Sequence, residues 1–168
     1  MDFSAFQQFP AEIATLLIAL IPIGELRIAI PIGILSYGLP WWSAYIFAVI
    51  GNMIPVFFIL WLLEPAYRYF DKRSKVMHRI FEWVFKRTRR KLADPVEKYG
   101  VWALMIFVMI PLPVTGAWTG SIAAFLFGIK YKKALLAIFL GVLIAGVIVT
   151  LITVGAYDAF EWLIHVEQ

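Results

Sequence analysis

No cysteine occurs anywhere in the chain, which excludes disulfides, thiolate nucleophiles and thiolate metal ligands together. Histidine is almost as scarce: His78 and His165 stand far apart without companion ligands, so no metal site is expected. Charge is scarce as well, at 15% of the 168 residues. A Ser-His-Asp set, an HExxH helix, a P-loop and paired carboxylates in one segment are all missing, so the chain is read as no enzyme and as needing no cofactor. The first twelve residues hold Asp2 and Glu12 but neither Lys nor Arg, and without a basic n-region no signal peptide is expected.

What is present is apolar. The chain is 62% hydrophobic with a mean hydropathy of +0.85, the composition of an all-α integral membrane protein of a single domain, 1–168. Aromatics reach 17%, with seven Trp, as where rings anchor at lipid–water interfaces. Ten of the fifteen basic residues lie between Arg68 and Lys91; Lys98 adjoins them and Lys130, Lys132 and Lys133 form a second cluster. In so apolar a chain these clusters read as cytoplasmic loops facing anionic lipid, not as a nucleic-acid surface.

Only Arg27 lies outside those clusters, and it shares the apolar run Ile13–Leu39 with a single other charge, Glu25. Charges at bilayer depth cost at least about 2.5–3.5 kcal/mol each, so by default they mark function; the competing explanation is an ion pair that only locks helices. Pro22, Gly24 and Pro31 bracket the two. As one helix, Ile13–Pro40 would run about 42 Å against a hydrocarbon core of about 30 Å, so two short arms meeting at a break are expected.

Trp41–Leu63 reads as a clean span, with Pro55 expected to kink it and Asn52 at its midpoint, either interhelical glue or a substrate contact. Residues 64–98 form a basic linker. Val76, Ile80 and Val84 recur there at four-residue spacing, predicting an amphipathic helix on the cytoplasmic leaflet. Tyr99–Ile129 is uncharged, too long for a simple span, and broken at Pro111, Pro113 and Gly116. A last span runs from Ala134 to about Tyr157. If Tyr99–Ile129 enters and returns, both basic clusters sit in the cytoplasm, as the positive-inside rule favours. The expectation is then an inverted repeat: two re-entrant helical hairpins and two full transmembrane helices, in halves 11–63 and 99–157, with the site where the breaks meet.

Glu25 can exchange a proton and Arg27 cannot. The second break offers Thr115, Trp118 and Thr119, with Gly116 and Gly120 making a GxxxG whose simplest meaning is close helix packing. An Arg beside helix N-termini favours an anion, and phosphate suits a guanidinium fork best. A carboxylate with an aromatic wall would instead suit a cation.

The motifs Gly24-Glu25-Leu26-Arg27-Ile28-Ala29-Ile30-Pro31 and Pro111-Leu112-Pro113-Val114-Thr115-Gly116-Ala117-Trp118-Thr119-Gly120 resemble those of the small multidrug export protein family. More distantly the pattern is similar to the DedA (SNARE-associated, VTT) superfamily. That resemblance implies facing re-entrant hairpins, a prokaryotic cytoplasmic membrane and lipid phosphates such as undecaprenyl phosphate as substrates. Glu25 and Pro31 match its first motif. The arginine usual in its second has no counterpart around Thr115, leaving Arg27 to take that role.

Three readings follow. The first is a proton-linked transporter or flippase for an anionic lipid-linked phosphate; the second is a small efflux transporter for amphipathic cations; the third is a non-transporting membrane scaffold. Membrane lipids and an anionic lipid or small-molecule substrate are the expected partners. A homodimer is expected too, since four long elements are few for a closed pathway.

Overall fold

The computed structural model describes residues 8–71, 73, 75–111 and 115–166. Among them the chain is helical, with no strand. Two short helices, α1 (Ala11–Leu20) and α2 (Glu25–Pro31), precede a long one, α3 (Trp41–Asp71). The basic helix α4 (Lys75–Tyr99) follows, then two more short helices, α5 (Val101–Met109) and α6 (Ala117–Leu126), and the long α7 (Tyr131–Val166).

Bilayer thickness separates the two kinds. A ten-residue helix such as α1 rises about 15 Å, half of the roughly 30 Å hydrocarbon core. Trp41–Phe70 and Tyr131–Tyr157 are long and apolar enough to cross it. Their exposed faces carry Ile46, Ile50, Phe57, Phe58, Leu151 and Ile152, a surface that suits acyl chains and not water. The first span was expected to stop at Leu63, but α3 continues to Asp71. Glu64 and Arg68 sit one turn apart on it and pair at 2.6 Å, an i,i+4 contact that supports continued helix.

The chain forms two compact units, residues 1–52 with 143–168, and residues 53–142. In the first, α1 packs on α2 and on α3. Ala44, Ala48 and Gly51 give α3 a stripe of small residues, and a Cβ on Gly51 would stand 2.3 Å from the Leu16 carbonyl oxygen and 2.9 Å from Ala19 Cβ. Such stripes let helix backbones approach where lipid supplies no hydrophobic drive. Tyr45 closes the same unit by donating its hydroxyl to the Leu143 carbonyl at 3.1 Å.

In the second unit α5 contacts α6 and α7. A Cβ on Gly141 would lie 2.9 Å from the Met105 carbonyl oxygen and 2.8 Å from Val108 Cβ. On Gly120 it would lie 2.7 Å from Val108 Cγ2, so this end of the GxxxG is a packing surface. Beneath α4, Leu92 and Thr88 are buried, and Phe81 and Phe85 meet Tyr67 of α3. Val76, Ile80 and Trp83 are exposed, so the apolar stripe of α4 is split between a packed face and a free one.

The elements of the two units keep one register. α3 begins at Trp41 and α7 at Tyr131. Gly38 and Gly128 both have positive φ, 67° and 62°. Gly51 receives Leu16 and Ala19 as Gly141 receives Met105 and Val108. The helix starts, the glycine turns and the two close glycines are 90 positions apart (41 to 131, 38 to 128, 51 to 141), and the residues those glycines meet are 89 apart (16 to 105, 19 to 108).

Candidate functional site

Pro22 explains where α1 stops. The residue before a proline is pushed out of the helical region, and Ile21 is extended at φ −75°, ψ 130°. Its carbonyl then accepts from both Gly24 N (3.3 Å) and Glu25 N (3.0 Å), closing a tight turn. Pro22 and Ile23 are exposed, whereas Gly24 and Glu25 are buried.

Glu25 opens α2 with φ +49°, the only non-glycine residue at positive φ among those described. For a side chain with a Cβ this conformation costs about 1–2 kcal/mol. Yet the residue is also one of the least accessible charges among the described residues, 5% exposed. Strain and a buried ionisable group at one position are a combination found where surrounding structure holds a residue for use.

Arg27 follows in the first turn of α2, half-buried and within electrostatic reach of Glu25. The i and i+2 positions would face apart on an undistorted helix. Pro31 was expected to bracket the break but lies inside the helical run. A π-helical turn, Ile32–Ser36, follows it directly, with Tyr37 N bonded to the Ile32 carbonyl at 3.1 Å. The widened turn absorbs the proline without ending the helix.

Asn52 is 1% exposed. Neither its Nδ2 nor its Oδ1 has a hydrogen-bond partner among the described residues. Its neighbour Gly51 touches Ala19, two residues before the extended Ile21, so Asn52 sits level with the end of α1 and the start of the break. A buried amide left unbonded costs about 1–3 kcal/mol.

The second break has the same form with different chemistry. Ile110 is extended at φ −79°, ψ 114°, and Pro111 follows it. Thr115 donates its hydroxyl to the Ile110 carbonyl at 3.0 Å, tying the two ends of the break. Gly116 adopts φ 139°, ψ −166°, which only glycine takes readily, and α6 starts behind it. Trp118 and Thr119 are half-buried in its first turn, and Ser121, wholly buried, donates to the Ala117 carbonyl at 2.7 Å. Pro113, with Leu112 and Val114, lies outside the described residues. Glu25, Arg27 and Asn52 thus belong to the first unit, and Thr115, Trp118 and Thr119 to the second.

Residues 25–148 match the profile of the family described as "Putative small multi-drug export protein". The chain belongs to that family. The matched stretch begins at Glu25 itself and takes in Arg27, Asn52, Thr115, Trp118 and Thr119. Family and fold agree on a helical membrane protein, and the family's description is one of export. No curated protein and no solved structure matches the chain.

One feature of the first unit carried no signal in the sequence. Trp41, Tyr45, Val147, Thr150, Leu151 and Val154 line an apolar cavity of about 340 Å³. Tyr45 is two turns from Asn52 along α3, roughly 10 Å. Trp41 and Tyr45 at the span's end read from sequence as interfacial anchors, and nothing in residue type marks them as a cavity wall.

Proposed function

We propose that the chain is a proton-linked membrane exporter of amphipathic compounds, with Glu25 as the carboxylate that alternately holds a proton and a cationic substrate. The observation that carries this reading is the burial of Glu25 at a strained φ of +49° beside a break in the helix. Membership of an export family supports it.

The sequence had favoured a lipid phosphate because an Arg sits in the run. Burial reverses that weighting: the carboxylate is the sequestered charge and Arg27 is only half-buried. Asn52, buried without a partner among the described residues, adds a hydrogen-bonding group to the same unit.

In this reading α1–α2 and α5–α6 are re-entrant hairpins, entering from opposite faces, as helices of about half the bilayer thickness would. The shared 90-position register supports an inverted repeat. The basic segments face the cytoplasm, and two chains associate to enclose the pathway.

The test is ethidium transport in proteoliposomes under an imposed pH gradient. Glu25→Gln should insert and fold yet lose pH-driven uptake, while Arg27→Gln should retain it. Loss in Arg27→Gln together with binding of an undecaprenyl-type phosphate would return the site to the lipid-phosphate reading. Unchanged transport in Glu25→Gln would remove Glu25 from the mechanism and leave it as half of a structural pair.

A further inference from the structure

The packed face of α4 holds more than a hydrophobic contact. Phe85 meets Tyr67 of α3 with ring centroids 5.3 Å apart and Phe125 of α6 at 5.7 Å. Glu82, Lys86, Arg89 and Arg90 lie on the same stripe of α4, three, four, seven and eight residues apart along it. Together these side chains line a cavity of about 720 Å³ whose floor is aromatic. Around it stand three cations and a single carboxylate.

Internal roles do not account for that excess of positive charge. Basic side chains near a helix end commonly serve its last carbonyls, and α6 ends here at Leu126. But α6 is closed by its own backbone. Gly128, at φ 62°, donates to the Phe125 carbonyl (3.1 Å), Ile129 to Ala124 (2.9 Å) and Phe127 to Ala123 (3.0 Å). This is a Schellman closure, and it leaves those carbonyls nothing to ask of Arg89 or Arg90. Glu82 is one turn from Lys86 and can offset one cation of the three.

The level of the cavity narrows the ligand. Tyr67 lies one turn beyond Glu64, the first charge after the apolar run that starts at Trp41. That places the site where hydrocarbon gives way to headgroups. We infer that this cavity binds a phosphate-bearing amphiphile. Its phosphate is held by Arg89, Arg90 and Lys86, and the apolar portion next to it lies on Phe85, Phe125 and Leu126. Guanidinium forks match phosphate in geometry as well as charge. The site uses no residue of the Glu25 break and does not rest on the transport reading.

Native mass spectrometry of the full-length protein in detergent tests it, with phosphatidylglycerol, phosphatidylcholine and inorganic phosphate as probes. Phosphatidylglycerol should bind, and Arg89→Gln/Arg90→Gln should weaken it about tenfold or more, the loss of at least one charge-assisted hydrogen bond. Lys132→Gln/Lys133→Gln, which removes equal charge elsewhere, should leave binding intact. Glu82→Gln should tighten it, a gain that misfolding cannot imitate. Equal binding by the Arg89/Arg90 variant, or equal loss in the Lys132/Lys133 variant, overturns the site. Inorganic phosphate that competes fully at millimolar concentration would make the ligand a free anion and overturn the lipid assignment. Phosphatidylcholine shares the phosphate and should bind too, more weakly because its ammonium opposes the cations, and no binding of either lipid overturns the site.

Discussion

Gly51 of α3 lies against the backbone of Leu16: a Cβ at Gly51 would stand 2.3 Å from the Leu16 carbonyl oxygen. Backbone on one side and Ala19 on the other leave no flexible side chain to yield. Gly51→Ala should therefore cost about 1–3 kcal/mol, the usual penalty of overpacking. Thermal unfolding in detergent should register this as a fall of several degrees in Tm, and Gly141→Ala should behave alike. Gly155→Ala, with nothing within 4 Å and a helical position, should be neutral or slightly stabilising.

Strain at Glu25 can be separated from its charge. Glu25→Ala and Glu25→Gly both remove the carboxylate, but only glycine accepts φ +49° without cost. The Gly variant should be more stable than the Ala variant by about 1 kcal/mol, and both should fail to transport. An Ala variant at least as stable as the Gly variant would show that the positive φ relaxes when the side chain is gone.

Asn52 gives a prediction opposite in sign to that for a normal buried polar residue. Its amide has no partner among the described residues, so Asn52→Leu should keep or raise the Tm. Transport should fall. A clear loss of stability would mean that the amide has a bonding role after all.

Topology is open to direct measurement because the chain has no native cysteine. Arg79→Cys and Lys132→Cys, both exposed positions, should be protected from an impermeant thiol reagent on intact cells and label after permeabilisation. Labelling of Lys132→Cys alone on intact cells would mean that the α5–α6 segment crosses the membrane completely.

The breaks were legible because proline acts on the residue before it: Ile21 and Ile110, each preceding a proline, are both extended. Pro31 obeys the same rule only where the helix cannot adjust, and here a π-helical turn accommodates it. No pattern of residue types announces that. The apolar stripe of α4 was found by its spacing, yet spacing cannot say which neighbours cover it. Phe81 and Phe85 pack on Tyr67 while Val76, Ile80 and Trp83 remain exposed. Glu25 stood out as a charge in an apolar run. Its positive φ was hidden, because the turn that imposes it depends on the Ile21 carbonyl taking two hydrogen bonds.

The register common to the two units bears on inheritance. Close glycine contacts and glycine turns recur 90 positions apart (51 to 141, 38 to 128), as they would if both units followed one plan. The charges belong to one unit: 90 positions on from Glu25 and Arg27 stand Thr115 and Ala117. A half-length ancestor pairing with itself would carry such charges twice or not at all. In the inverted-repeat reading proposed above, joining the halves in one chain lets a single copy specialise in chemistry while the other is kept for its shape.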